Sequence, residues 1–195
     1  TGRAYSVPAH TLPSARGYGE PLSGRLNPPD GATFAGVVMG QPEDLFLLAS
    51  DAGYGFVIKL EDMVSRNKAG KKVMSVPKGA GVLPPVPVRN MEDDWVVSVT
   101  TAGNILVIPL EELPILPKGK GNKIIGIAAK AFADHSEYVV DVLAVPDSGK
   151  VKLNSGKRYL ILRAADLNAY EGERGRRGNK LPRGFQKVDS IEPGE

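Results

Sequence analysis

Cysteine is absent from the 195 residues of this chain, and histidine occurs only twice, as His10 and His135. The lack of cysteine excludes disulfides and thiolate zinc sites and favours a reducing compartment. Because the two histidines are far apart in sequence, we interpret each as a solvated loop residue and not as a metal ligand. The sequence therefore predicts no metal site.

Long apolar runs are also absent. No stretch of about 18 apolar residues could span a membrane, and the segment 1–24 is polar and rich in proline and glycine, unlike a signal peptide. The chain does not begin with methionine, and no apolar strand precedes the first predicted strand, at 1–7. We therefore expect a piece of a longer protein, in which 1–195 forms a single domain.

Arrangements of side chains that would support catalysis are missing as well. The sequence has no Ser/His/Asp set, no P-loop, no HxxxH pair and no credible carboxylate dyad. The acidic pairs Glu61-Asp62 and Glu111-Glu112 each follow an apolar strand, where solvated turn or capping residues are common. We expect no catalytic residue and no cofactor in this chain.

The sequence does contain a long repeat. Asp51-Ala52-Gly53 leads into an apolar strand and an acidic pair, and the same order returns at Thr101-Ala102-Gly103. Weaker copies surround Gly2 and Gly156, so the four glycines are separated by 51, 50 and 53 residues. A fixed period of this size is typical of propellers and other repeat architectures.

Each full repeat holds about four short strands between glycine, proline or acidic turns, which predicts an all-β fold of stacked blades. The predicted repeats are 1–30 (partial), 31–80, 81–131 and 132–195. The strands expected to form the core between blades are 45–49, 56–58, 95–99, 105–108, 139–145 and 159–162, with Trp95 as a core residue. Further strands are expected at 35–39, 73–76, 84–88 (an edge strand, because of its prolines) and 124–127. A last strand at 186–191 would open another blade or complete the first one.

Positive charge is concentrated in three loops at matching places in successive repeats. Segments 66–72, 118–123 and 174–183 carry twelve lysines and arginines and no acidic residue, although the net charge is only +3, so the rest of the chain carries −9. Segment 12–20 is a weaker copy. The predicted DNA-binding residues are Arg16, Arg66, Lys68, Lys71, Lys72, Lys118, Lys120, Lys123, Arg174, Arg176, Arg177, Lys180 and Arg183.

The composition of these loops suits a phosphate backbone. Lysine and arginine form charge-assisted hydrogen bonds with phosphate, and glycine lets the backbone approach a ligand closely. Few aromatic residues flank the loops, so stacking on single strands is not favoured. One such loop is usually a solvated turn, but several in phase would share one rim and follow a curved duplex, with contacts independent of sequence.

Several segments resemble the C-terminal domain of the A subunit of bacterial type IIA topoisomerases, and of topoisomerase IV in particular. The matching segments are Thr1-Gly2-Arg3-Ala4-Tyr5-Ser6, Leu12-Pro13-Ser14-Ala15-Arg16-Gly17, Ala49-Ser50-Asp51-Ala52-Gly53-Tyr54-Gly55-Phe56, Lys118-Gly119-Lys120-Gly121-Asn122-Lys123-Ile124-Ile125 and Gly172-Glu173-Arg174-Gly175-Arg176-Arg177-Gly178. The resemblance implies a β-pinwheel, a propeller-like disc whose blades exchange strands and whose basic rim holds bent duplex DNA.

The resemblance also implies the context of the parent enzyme. That enzyme would be an ATP-dependent A2B2 heterotetramer in the bacterial cytoplasm, associated with the nucleoid and peripherally with the membrane. It would decatenate daughter chromosomes and relax supercoils, and its partners would be the topoisomerase IV B subunit, through other domains, together with a chromosome-condensing complex. Mg²⁺ and ATP would bind outside this chain. No catalytic role carries over to the tyrosines of this chain, which are Tyr5, Tyr18, Tyr54, Tyr138, Tyr159 and Tyr170.

Two alternatives remain at this stage. The gyrase A relative has a box of the form Gln-Arg-Arg-Gly-Gly-Lys-Gly, and the nearest segments here, 66–72 and 118–121, are degenerate versions. This favours topoisomerase IV over gyrase and argues against strong chiral wrapping. The other alternative is a propeller that docks proteins through its acidic remainder.

Overall fold

Short β-strands joined by turns form the framework of the computed structural model, which describes residues 1–194. The strands are β1 (Arg3–Ala4), β2 (Leu45–Ala49), β3 (Tyr54–Lys59), β4 (Lys71–Lys72), β5 (Val86–Val88), β6 (Asp94–Thr100), β7 (Asn104–Pro109), β8 (Asn122–Lys123), β9 (Val139–Pro146), β10 (Val151–Ser155), β11 (Arg158–Leu162), β12 (Asn179–Lys180) and β13 (Ser190–Pro193). The helices are α1 (Leu60–Met63), α2 (Ala129–Ala133) and α3 (Ala164–Asn168), with 3₁₀ turns at Ala9–Thr11, Leu22–Gly24 and Leu110–Glu112. Within residues 1–194, no helix is long and apolar enough to cross a membrane. The predicted all-β class is confirmed.

Three antiparallel hairpins form the repeating unit: β2 pairs with β3, β6 with β7, and β10 with β11. Each turn contains a glycine with positive φ, at Gly53 (84°), Gly103 (73°) and Gly156 (59°). Glycine adopts this conformation without the steric cost of a Cβ atom. Gly2 (69°) has the same conformation and directly precedes β1, so the four periodic glycines occupy equivalent positions, three of them in hairpin turns.

The first two hairpins become four-stranded sheets only by accepting strands from farther along the chain. The sheet orders are β5-β2-β3-β8 and β12-β7-β6-β9. The third hairpin accepts β13 beside β10, and β1 pairs with β4. Neighbouring blades are therefore joined by exchanged strands. The strand β5 lies at a sheet edge, as its prolines predicted.

Both faces of the central strands are buried. Because side chains alternate across a strand, Leu47 and Phe46 of β2 belong to two different core clusters. In the same way Val96 of β6 packs towards the first hairpin and Val97 towards the third. Full burial of such a side chain contributes roughly 1.5–3 kcal/mol, so the stacking of the sheets is the main source of stability. Trp95 is partly buried against the cluster that contains Val97.

Some predicted core positions lie outside this packing. In β11, Tyr159 is exposed, because the strand is at the edge of the last sheet. The prediction for 159–162 therefore holds for Leu162, which is buried, and for Leu160, which is partly buried against the same core cluster.

The strand predicted at 35–39 does not form. Residues 33–39 have no regular secondary structure, and Val37 and Met39 are each 80% exposed. The equivalent strands β5 and β9 pair with the first strand of the preceding hairpin. The first repeat contributes only the two residues of β1, and not the predicted 1–7, so within residues 1–194 the segment 35–39 has no strand beside it.

Two other strand predictions are shifted in sequence. The strands expected at 73–76 and 124–127 are instead β4 and β8, which begin inside the basic loops. Positive φ at Gly70 and Gly121 turns the chain there, so that pairing starts at the next residue. The last strand, β13, pairs with β10. It therefore becomes the third strand of the fourth blade, and neither opens a further blade nor completes the first.

Candidate nucleic-acid interface

The three basic loops, defined as 66–72, 118–123 and 174–183, dock on the preceding repeat, the first on β1 and the other two on the first and second hairpins. The strands β4, β8 and β12 pair there with β1, β3 and β7. Both β8 and β12 are the outermost strands of their sheets. Each basic loop is thus placed at the edge of a blade by its own backbone pairing.

A glycine in each loop makes this docking possible. Gly70, Gly121 and Gly178 have φ of 73°, 76° and 73°. A Cβ atom at Gly121 would overlap the carbonyl oxygen of Gly55, and one at Gly178 would overlap that of Ile105. The sequence suggested that these glycines let the backbone approach a ligand; what they do in the structure is let the loop approach the neighbouring blade.

The residue that follows each loop strand binds the periodic glycine of the preceding repeat. The amide of Val73 donates to Gly2 O (2.9 Å) and that of Ile124 donates to Gly53 O (2.7 Å). The amide of Leu181 donates to Gly103 O (2.9 Å). The repeated glycine turn is therefore the anchoring point of the basic loop that follows it.

The second and third basic loops are also hydrogen-bonded to the segment that directly follows the preceding basic loop. Gly119 donates its amide to Val73 O (2.9 Å) and accepts from the amide of Ser75 (2.8 Å). Gly175 donates to Ile124 O (2.8 Å), and the amide of Gly126 donates to Arg176 O (2.7 Å). The loops thus form one connected series across three repeats, and their relative positions are fixed by backbone contacts.

Seven of the predicted cations have no side-chain hydrogen bond or ion pair among residues 1–194. They are Arg16, Arg66, Lys68, Lys72, Lys118, Lys123 and Arg183. Lys123 is half-buried and the other six are exposed. Exposed cations without protein partners are the ones best able to bind an external anion.

The other six predicted cations contact the protein. Lys71 donates to Asp62 O (2.8 Å), Lys180 donates to Ala102 O, and Lys120 lies 3.8 Å from the ring centroid of Tyr54. Arg174 donates to Lys123 O (3.1 Å) and lies 3.7 Å from Glu112. Arg176 pairs with Glu173 (3.0 Å) and Arg177 with Glu137 (2.9 Å). These six cations therefore stabilise the folded loops, in addition to any contact that they make with a ligand.

Arg16 is not brought together with the other predicted residues. It lies in a local turn, in which Gly17 donates its amide to Ser14 O (3.0 Å). The backbone bonds that join the three basic loops do not extend to this turn within residues 1–194. Segment 12–20 resembles the basic loops in sequence, but among the described residues it does not make their contacts.

Two arginines outside the predicted DNA-binding set adjoin the first basic loop. Arg3 donates to the carbonyl oxygens of Ala69 (3.2 Å) and Gly70 (3.1 Å). Arg25 pairs with Glu20 (2.8 Å) and lines a cavity of about 390 Å³ together with Arg66 and Lys68. Position 3 follows the repeated glycine at 2, which was the available signal for Arg3. Arg25 follows segment 12–20, the weaker copy of the basic loop, which was the available signal for Arg25.

Blades that share cores on both faces and exchange strands with their neighbours define a propeller-like fold of the pinwheel kind. Residues 44–88 and 94–146 match the family model described as DNA gyrase C-terminal domain, beta-propeller. The chain belongs to this family.

The chain is similar to the A subunit of DNA topoisomerase 4 from several bacteria. It is 56% identical to the Pseudomonas aeruginosa protein over 98% of this chain, and 46% identical to the Haemophilus influenzae protein over 99%. These matches cover only 25% and 26% of the relatives, so the chain spans about a quarter of their length.

Solved structures give the same result for the fold. The Escherichia coli ParC C-terminal domain superimposes with a TM-score of 0.89 and 43% identity, covering 100% of this chain and 78% of that one. A DNA gyrase A C-terminal domain superimposes with a TM-score of 0.70 and 16% identity, covering 90% and 58%. The β-pinwheel predicted from the resemblance is confirmed.

Proposed function

We propose that this chain binds duplex DNA without sequence preference and bends it, as the C-terminal domain of the A subunit of a topoisomerase IV. The observation that carries this proposal is the hydrogen-bonded series of three basic loops, each held at the edge of a blade. Such loops offer ammonium and guanidinium groups to phosphates and leave the base edges unread. Contacts at the edges of successive blades favour a curved path for the duplex.

The cations without protein partners are the proposed phosphate ligands. Lys118 and Lys123 belong to the second loop, which has the first loop on one side and the third on the other. Arg66, Lys68 and Lys72 extend the surface across the first loop, and Arg183 extends it across the third. Their spacing along the series would let one duplex contact several blades at once.

The relatives favour topoisomerase IV over gyrase for the parent protein. The Pseudomonas and Haemophilus relatives are subunits of topoisomerase 4, whereas the gyrase A structure is only 16% identical and supports the fold alone. In such a parent, this domain would capture DNA for ATP-dependent decatenation and supercoil relaxation, with the B subunit, Mg²⁺ and ATP acting through other domains. A chromosome-condensing partner remains a prediction of the sequence.

The proposal is tested by neutralising cations of the second loop. Each of Lys118→Gln and Lys123→Gln should weaken binding to a random-sequence duplex. Each should also reduce the slope of log K against log[salt] by about 0.9, because one phosphate contact and its released counterion are lost. The measurement is fluorescence anisotropy across a salt series.

Lys130→Gln is the matched control, because Lys130 is an exposed lysine on α2 outside the basic loops. It should leave the slope unchanged. Equal slopes for all three variants and the unaltered chain would show that the loops are solvated turns, and would favour the protein-docking alternative.

A further inference from the structure

Each contact between a basic loop and the preceding repeat includes a cation beside the docking glycine. This cation comes from the preceding repeat in the first contact and from the loop in the other two. In the first contact Arg3 donates to the carbonyls of Ala69 and Gly70. In the second, Lys120 stacks on Tyr54, and in the third Arg177 binds Glu137. Residues 69, 120 and 177 all stand one position before the docking glycine of their loop. The chemistry differs among the three, but the place is the same.

The third contact is built around a buried carboxylate. Glu137 is only 3% exposed, and its Oε1 accepts hydrogen bonds from Thr100 Oγ1 (2.9 Å) and Asn104 Nδ2 (3.2 Å). Its Oε2 accepts from Arg177 Nη2 (2.9 Å). Thr100 and Asn104 are buried and flank the glycine turn of the second hairpin. The carboxylate therefore connects the hairpin turn to the basic loop.

Arg177 is constrained by this carboxylate even though about half of its side chain is exposed. A buried carboxylate that loses its charged partner is strongly destabilised, because the remaining charge lacks compensation. If Arg177 turned outward to a phosphate, Glu137 would keep only its two neutral donors. The geometry thus favours an arginine retained by the protein when DNA binds.

The pair lies where two basic loops meet. The carbonyl oxygen of Arg176, next to Arg177, accepts from the amide of Gly126, and Gly175 donates to Ile124 O. Arg174 of the same loop donates to the carbonyl of Lys123. A change in the position of Arg177 would therefore be transmitted to the backbone that carries Lys123, one of the cations without a protein partner.

We propose that Glu137 and Arg177 are a positioning pair, which holds the third basic loop against the turn of the second hairpin and so sets its spacing from the phosphate-binding cations of the second loop. On this account Arg177 does not itself bind phosphate. The inference rests on the proposed function for its consequence in DNA binding, but the placement of the loop can be measured without DNA.

The experiment compares Glu137→Gln, Arg177→Gln and the double variant of this chain. Hydrogen–deuterium exchange at the amides of Gly126 and Gly175 measures the placement of the loop. Both single variants should exchange faster at these amides, and the double variant should be no faster than either, because the pair acts as one unit. Arg177→Lys, which keeps the charge and matches Lys120 of the second loop, should restore part of the protection. Unchanged exchange in the single variants would overturn the proposal.

The DNA arm uses the salt series with Lys118→Gln as the reference for a lost phosphate contact. Arg177→Gln and Glu137→Gln should each lower affinity several-fold and leave the slope unchanged, whereas Lys118→Gln should reduce it by about 0.9. A reduction of about 0.9 for Arg177→Gln, with Glu137→Gln unaffected, would make Arg177 a phosphate ligand and overturn the assignment. If the unaltered chain showed no salt-dependent binding, the proposed function would fail, and the exchange results would still decide whether the pair places the loop.

Discussion

The lysines and arginines of the basic loops occupy two different chemical situations. Arg177 and Arg174 are tied to carboxylates and carbonyls of neighbouring segments, whereas Lys118 and Arg66 have no side-chain partner among residues 1–194. In the sequence the two groups look alike, because both consist of lysines and arginines in the same glycine-rich segments. Only the partner residues distinguish the two groups, and those of Arg174 and Arg177 lie far away in the chain.

Burial of an acidic residue gives a prediction about pH. Burial raises the pKa of Asp141 above its ordinary value of 3.8, although hydrogen bonds from the backbone of Val142 and Ile191 oppose the shift. The folded chain therefore binds this proton more tightly than the unfolded chain does. The resulting stabilisation is fully present below the ordinary pKa of 3.8, and it is lost as the pH rises through the raised pKa of the folded state.

Asp141→Asn tests this sign, because asparagine does not titrate. The difference in free energy of unfolding, unaltered chain minus variant, should increase as the pH falls from about 7 to below the ordinary pKa of an aspartate. Urea denaturation of both proteins at several pH values measures it. A difference that stays constant or decreases on acidification would contradict the assigned shift.

At the scale of the element, the docking of each basic loop depends on a tightly packed glycine. Its backbone conformation would be strained in any other residue. Gly121→Ala should therefore destabilise the chain by more than the roughly 1–2 kcal/mol expected for a left-handed residue alone. The added cost comes from the carbonyl of Gly55, which the new Cβ atom would overlap. Chemical denaturation measures the free energy of unfolding.

Gly79→Ala is the control for this variant. Gly79 has a similar φ of 78°, but a Cβ atom there would have no neighbour within 4 Å. Gly79→Ala should lose only the free energy that the left-handed backbone conformation costs, without the added cost of steric overlap. Equal losses for the two variants would show that the loop moves away at little cost, and that its docking is loose.

The hairpins could be predicted from the sequence, but the exchanged strands could not. Apolar runs around Gly53 and Gly103 specify β2, β3, β6 and β7, because turn and strands are contiguous. The strands β8 and β12 are two residues long, polar and paired with a hairpin that lies far earlier in the chain. Nothing in their local composition distinguishes a strand from a loop. The strand prediction for 35–39 was wrong for the opposite reason, since this segment has the composition of a strand but no partner strand among the described residues.

On the scale of the whole molecule, the net charge of +3 conceals a strong separation of charge. The basic loops are collected at blade edges by strand exchange, and the remainder of the chain carries −9. The position of each loop in its repeat could be predicted from the sequence. The hydrogen bonds between loops and the Glu137–Arg177 pair could not, because they join residues 40 or more positions apart. They are what turns three separate basic segments into one surface.

The central claim is that this surface binds duplex DNA through its phosphates. The most direct test is the affinity of the chain for a duplex of random sequence over a range of salt concentrations. The account predicts a steep linear fall of log K with log[salt], at about 0.9 per phosphate contact and with several contacts, and the same affinity for unrelated sequences. No binding at low salt, or binding that salt does not weaken, would contradict it.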